Sequence, residues 1–233
     1  MGELFILECI ISGLKALPVT AYLTLGSFSI SLIFGSALAI IRINNVPVLS
    51  PIIKIYIDII KAVPSVLVLY VLYFFITDGF NFLSKSFGWG LSSSVIHVNV
   101  IAIIVLAFSG TITVSETIRG SFMAVNYGQY EAAYSVGLTG WQTLKRIVLP
   151  QVIPVAIPVL CNNFIVFVKH SSLMYFIAVT DVLNATLAPA AGNYRFLEAY
   201  IAAGVVYWGI CLFITQLSKL MEKQLSRFRH YAV

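Results

Sequence analysis

The sequence predicts an all-α integral membrane protein of about five transmembrane helices, and three observations carry that expectation. Hydrophobic residues fill 60% of the 233 positions and charged residues only 10%, against roughly 45–50% and about 25% in a soluble domain. Mean hydropathy is +0.97. The apolar residues also gather into runs that reach the roughly 20 residues needed to cross a hydrocarbon core of about 30 Å. No Pro/Ser-rich linker or low-complexity tract interrupts the chain, so residues 1–233 read as a single transmembrane domain.

The elements follow in order. Residues 1–14 carry Glu3 and Glu8, no basic n-region and no small-residue cleavage site before the first span. They therefore read as an amphipathic lead-in lying on the outer surface, not as a signal peptide. Spans are expected at about 16–41, 60–77, 97–115, 151–180 and 197–218. An odd number of crossings puts the termini on opposite sides. Arg42, Lys54, Lys61, Arg119, Lys145, Arg146, Lys219, Lys223, Arg227 and Arg229 fall at one set of span ends, and only Lys15, Lys85 and Arg195 at the other. Cationic loops stay cytoplasmic, which places the N-terminus outside and both the C-terminus and the loop at about 120–150 inside. This orientation accounts for the formal charge of +5 without a nucleic-acid partner. Lys219, Lys223 and Arg227 recur every four residues, so their stems can share one helix face and snorkel to lipid headgroups. Cys9, Cys161 and Cys211 sit in apolar surroundings with no Cys-x-x-Cys pair, which fits neither a disulfide framework nor a metal site.

The segment between the third and fourth spans is a polar island. Asn126 suits an N-cap, Gln129 to Val136 is helical in character, and Gly137 can take the left-handed conformation that stops a helix. Thr139 with Gln142 forms a capping-box pattern for a second helix, in which Trp141, Leu144, Ile147 and Val148 recur at helical spacing. Pro150 stands where that helix gives way to the next span. Tyr130 and Tyr134 lie on one face, Ala132 and Ala133 permit close approach, and Glu131 offers one charge. A short amphipathic helix laid in a partner's groove is a recurring recognition mode.

Gly128-Gln129-Tyr130-Glu131-Ala132-Ala133-Tyr134, Gly137 and Leu149-Pro150 resemble the EAA loop by which ABC importer permeases grip their ATPase subunits. The resemblance narrows to the polar amino acid branch. Glu116, Arg119 and Gly120 match its Glu-x-x-Arg-Gly, Leu149-Pro150-Gln151 and Asn163 match its Leu-Pro-Gln and Asn, and Lys169-His170-Ser171-Ser172-Leu173 is similar to its Lys-x-Thr/Ser-Ser-Leu. Lys61-Ala62-Val63-Pro64 stands where Arg-Gly-Thr-Pro is usual, replacing a bidentate guanidinium with a point charge. The similarity covers roughly residues 13 to 225. It implies a type I importer permease that pairs with itself or with a sister permease. It also implies a dimer of ABC ATPase subunits inside, an extracytoplasmic solute-binding protein outside, an amino acid as substrate, and a bacterial plasma membrane as the site.

Ionisable groups within a span cost at least about 2.5–3.5 kcal/mol and usually face a bundle interior or water cavity. Glu116, Asn163, Lys169, Ser171 and Ser172 are such buried polar candidates for a substrate pathway, with Lys61 at a span edge. Glu116 and Lys169 carry opposite signs, as a zwitterion's two ends require. A structural reading stands beside this one, with Glu116 paired to Arg119 one turn away and Lys169 snorkelling or bound to a freed carbonyl.

No catalytic residue or metal site is expected. The chain has no Gly-x-x-x-x-Gly-Lys-Ser/Thr, so no nucleotide cofactor is expected on it; ATP and Mg would be bound by the partner ATPase. Neither His-Glu-x-x-His nor Gly-x-Ser-x-Gly occurs. An ion-coupled secondary carrier or a membrane enzyme working without an ATPase remains the alternative, although no inverted repeat of the kind carriers use is visible.

Overall fold

The structure, a computed structural model, describes the backbone of residues 2–229 and the side chains of residues 4–224. The side chains of Arg227 and Arg229, and His230 entirely, lie outside the described residues. All regular structure among the described residues is helical. In chain order the helices are α1 (Gly2–Lys15), α2 (Leu17–Ile43), α3 (Leu49–Ala62), α4 (Ser65–Ser86), α5 (Val98–Met123), α6 (Tyr127–Ser135), α7 (Gly140–Thr143), α8 (Leu149–Ser171), α9 (Val182–Leu187) and α10 (Phe196–Arg229). Among the described residues five helical runs are long and apolar enough to cross a membrane: Leu17–Ile43, Ser65–Ser86, Val98–Met123, Gly140–Ile177 and Phe196–Gln224.

The centre of the molecule is the α2–α5 pair, and its contacts explain the small residues on α2. Ser27 donates through Oγ to the Ile103 carbonyl at 3.2 Å, and Ser31 to the Ala107 carbonyl at 3.0 Å. A Cβ added to Gly35 would come within 2.9 Å of the Thr111 carbonyl oxygen. Each contact joins residues 76 apart, so the two helices run parallel in one register. Small side chains let membrane helices approach closely, and hydroxyls bonded across the seam satisfy themselves there. Helix α8 closes on the same seam, since a Cβ on Gly110 would lie 1.8 Å from Cζ of Phe167. Above it, Leu23, Leu69, Ile101, Leu106, Met174 and Val179 form the main apolar core.

Several span ends differ from the sequence expectation: the third span runs on to Met123 where 115 was expected, and the fifth to Gln224 where 218 was expected. The second span starts at Ser65 and runs to Ser86, and a separate amphipathic helix, α3, precedes it. Pro64 is the cause: a residue before proline is pushed out of the helical region, and Val63 is extended at φ −95°, ψ 135°. The fourth span begins earlier and ends sooner than 151–180. Residues Leu144–Val148 form a π turn leading into α8, a 3-10 turn covers Ser172–Ile177, and left-handed Ala178 terminates the run. Pro150, Pro154 and Pro158 remove amide donors one turn apart along α8.

At the end of the bundle away from the α6–α7 hairpin, α1, α9 and the start of α10 form a crown. Phe5 and Cys9 of α1 pack with Leu187, Ala190, Ala199 and Ala202. The lead-in is therefore part of the fold, with Leu4, Leu7, Ile11 and Leu14 on its exposed face. Burial pushes the Cys9 thiol up from its ordinary range. Exposed Phe74, Phe75 and Phe82 on α4 and Trp208 and Phe213 on α10 give the bundle an apolar exterior.

Candidate functional site

The hairpin is built by local capping. Asn126 accepts the Gly128 amide through Oδ1 at 2.8 Å, which starts α6. Gly137 has φ +80° and nothing within 4 Å of an added Cβ, so a turn that only glycine enters without strain reverses the chain. Thr139 then caps α7 reciprocally with Gln142: the Thr139 amide donates to Gln142 Oε1 at 2.9 Å and the Gln142 amide to Thr139 Oγ1 at 3.3 Å. The π turn follows, in which the Leu149 amide reaches back five residues to the Leu144 carbonyl. Gln151 Nε2 donates to the Ile147 carbonyl at 2.9 Å, one turn back across Pro150.

One face of the hairpin is anchored and the other is open. Tyr130 packs with Val125, Val148 and Val152, and Ala133 is buried. Gly128, Gln129, Glu131, Ala132, Tyr134 and Gly137 are exposed, as is Pro150, while Leu149 is half-buried. Val136 and Trp141 are 76% and 68% exposed beside Tyr134. Of the two adjacent alanines, Ala132 is the one that faces outward.

A second constellation lies just above the hairpin. Arg42 of α2 contacts Glu116 Oε1 directly through Nη1. Lys61 Nζ of α3 lies 3.7 Å and Arg119 Nη2 3.4 Å from Glu116 Oε2. Only the Arg119 contact was expected. One carboxylate of α5 therefore ties α2, α3 and α5 together, immediately before the Val63–Pro64 break. Asn163 of α8 donates to Thr117 Oγ1 at 2.7 Å, joining the neighbouring residue of α5 to a fourth helix. Lys61 also lines a cleft of about 160 Å³ together with Ser65, Ser109, Thr113, Phe167 and His170.

The remaining polar candidates do not converge on Glu116. Lys169 is exposed on α8 and is absent from the cations that contact Glu116. Ser171 is buried and donates to the Val168 carbonyl at 2.8 Å, and Ser172 to the Lys169 carbonyl at 2.7 Å. Both hydroxyls are satisfied inside their own helix turn. Among the described residues no group of His, Cys, Asp and Glu could hold a metal ion.

Sequence reasoning missed Asp181. Its side chain is fully buried in the crown, caps α9 by accepting the Asn184 amide at 3.0 Å, and accepts the Tyr207 hydroxyl at 2.9 Å. Burial pushes its carboxyl above the ordinary aspartate range, opposed by these two donors. Asp directly before Val-Leu-Asn is an N-cap signal, and the expected span end at 180 had hidden it.

Five spans, a seam of small residues and an exposed helical hairpin between spans define a multi-pass membrane subunit of the transport type. The chain belongs to the family of binding-protein-dependent transport system inner membrane components, whose model matches residues 9–227. It is 31% identical to the probable amino-acid permease protein YxeN of Bacillus subtilis, over 96% of this chain and 95% of that one. It is 30% identical to the probable amino-acid ABC transporter permease protein PatM of Vibrio harveyi, over 96% of each. Among solved structures, a chain of an amino acid ABC transporter crystallised with histidines superposes with a TM-score of 0.77 at 26% identity, covering 91% of this chain and 94% of that one. A chain of the inward-facing MetNI methionine ABC transporter shares the fold at 18% identity, with a TM-score of 0.67 over 97% and 99% of the two chains.

Proposed function

We propose that this chain is the permease subunit of an ATP-driven importer of polar amino acids in a bacterial inner membrane, with its N-terminus outside and the hairpin inside. It works as a pair, with itself or a sister permease. Two ATPase subunits bind ATP and Mg below it, and an extracytoplasmic binding protein delivers the amino acid above. The hairpin carries this reading: Gly128, Gln129, Glu131, Ala132 and Tyr134, turned by Gly137 and followed by Leu149-Pro150, form an open face on a helix anchored through Tyr130 and Ala133 to the base of α8. A groove on the ATPase that takes this face would move α8 as a lever. Lys61, Glu116, Asn163, Lys169, Ser171 and Ser172 are the proposed pathway residues. The cleft beside Lys61 supports Lys61 most directly, while the pairing at Glu116 suits a gate that opens when α3 moves.

Co-expression with a candidate ATPase subunit tests the proposal. Glu131→Arg reverses the charge on the open face, and Gly137→Val forces a β-branched residue to positive φ. Both should lose ATPase co-purification and solute-stimulated ATP hydrolysis in liposomes while still inserting in the membrane. Unchanged values for both variants would remove the hairpin from coupling. Transport that persists with no ATPase present would favour an ion-coupled carrier instead. For orientation, an impermeant maleimide should label Ser93→Cys and spare Gln142→Cys in intact cells expressing otherwise cysteine-free protein.

A further inference from the structure

Beside the Glu116 cluster, where α2 passes into α3, lies a cleft of about 620 Å³ lined by Arg42, Asn45, Val46, Ser50, Lys54 and Arg119. Its charged lining residues are all cations. Glu116 sits behind them and accounts for one negative charge, so the three lining cations Arg42, Lys54 and Arg119 less one carboxylate leave a local charge of +2. Asp58, four residues beyond Lys54 on α3, is exposed and makes no ion pair among the described residues. The Nε of Arg119 is buried with no hydrogen-bond partner, leaving a charged group's donor unused beside the cleft. Pairing with Glu116 thus explains neither the number of cations nor this donor.

The cleft also borders an apolar track. Val48 lines it and opens a stripe, Val48, Ile52, Ile55 and Ile59, exposed along the side of α3 at helical spacing. A ligand suited to both halves has a tetrahedral anion with several acceptor oxygens at one end and hydrocarbon at the other. Guanidinium groups fit such anions in bidentate fashion, and lysine adds a point charge.

We propose that this cleft binds the phosphate of an anionic phospholipid, with an acyl chain laid along the α3 stripe. The lipid would fasten α3 to α2 and α5 next to the Val63–Pro64 break, so its occupancy would govern how freely α3 shifts against Glu116. A basic residue near a membrane surface adds about 1 kcal/mol of attraction for anionic lipid, which is about fivefold in affinity.

The test uses the delipidated full-length protein in detergent, titrated with phosphatidylglycerol, phosphatidylcholine or inorganic phosphate and read by native mass spectrometry. Wild type should bind one phosphatidylglycerol ahead of phosphatidylcholine. Lys54→Gln should weaken that first phosphatidylglycerol about fivefold and leave phosphatidylcholine unchanged, with Lys54→Arg restoring it and Lys219→Gln having no effect. Lys54 is exposed, and matching melting curves establish that each variant is folded. An unaltered Lys54→Gln, or an equal loss in Lys219→Gln, would overturn the site. Displacement of the lipid by millimolar inorganic phosphate would overturn the lipid assignment and make the cleft a soluble-phosphate site.

Discussion

The crown and the hairpin end solve the burial of polar groups in opposite ways. In the crown, Asp181 is fully buried and its oxygens are taken by a backbone amide and one phenol. The Val182 amide donates to Thr20 Oγ1 at 3.1 Å, and a Cβ on Gly13 would sit 2.2 Å from Thr186 Oγ1. Asp181, Thr20 and Thr186 are short, buried side chains with few rotamers. At the hairpin end, Glu116 is 28% exposed and shared among three long cations from three helices, one of which, Lys61, is 51% exposed. Lys61 in particular can exchange its partner at small cost because water competes for that contact. The contrast teaches that the crown is held by buried bonds between short side chains, while the hairpin end is held by partly exposed charges on long side chains, the kind of contact that a moving joint can re-pair.

The largest expected effect breaks the crown. Asp181→Ala leaves α9 uncapped and the Tyr207 hydroxyl without an acceptor, and should cost about 2–4 kcal/mol of stability in chemical or thermal unfolding of the purified protein. Asp181→Asn keeps an acceptor and should retain most of it. A loss below about 1 kcal/mol for the alanine variant would erase the difference between the two ends. Next, Gly13→Val should overpack α1 against Thr186 and destabilise by about 1–3 kcal/mol, measured the same way.

A smaller effect is tied to pH. Because burial raises the Asp181 carboxyl in the folded protein, the folded state holds its proton more tightly than the unfolded one. Stability should therefore fall as pH rises from the unfolded value near 3.8 through the raised folded value, and regain nothing above it. Relative to wild type, Asp181→Asn should show a flatter decline across that window in melting temperature. Parallel profiles would mean that the crown does not disfavour the ionised form. The smallest stability effect belongs to the other end: Lys61→Met should shift unfolding by less than about 1 kcal/mol. Its expected signature is reduced substrate stimulation of ATP hydrolysis in the assembled transporter. A stability loss as large as that of Asp181→Ala would make Lys61 a structural residue.

Hydropathy revealed the five spans because each is a local property of about 20 consecutive residues. The hairpin was equally legible, since Asn126, Gly137, Thr139 and Gln142 act through partners within a few positions. Helix α3 was not, for at 14 residues it is too short for a span, and its apolar residues merged with the run beyond Pro64. The Glu116 cluster was half legible. Arg119 is one turn away, whereas Arg42 and Lys61 arrive from α2 and α3 through tertiary packing that no spacing encodes. The opposite charges of Glu116 and Lys169 suggested a common site, yet Lys169 emerges on an exposed face of α8. Sign complementarity says nothing about distance.

The α2–α5 seam repeats every four residues, and a periodic contact has a translational ambiguity. A slip of one turn would bring Ser27 opposite the Ala107 carbonyl, but it would press Ser31 against the Thr111 carbonyl, where even a Cβ on Gly35 would come within 2.9 Å. Gly35 thus removes part of that ambiguity from an otherwise evenly graduated ruler. Its zero mark comes from contacts that do not repeat: the Thr20–Val182 bond near one end, the Phe167 ring seated on Gly110 in the middle, and Arg42 on Glu116 near the other. Two of these marks are rigid and one is ionic, so if the ruler slides in operation, it slides from the ionic end.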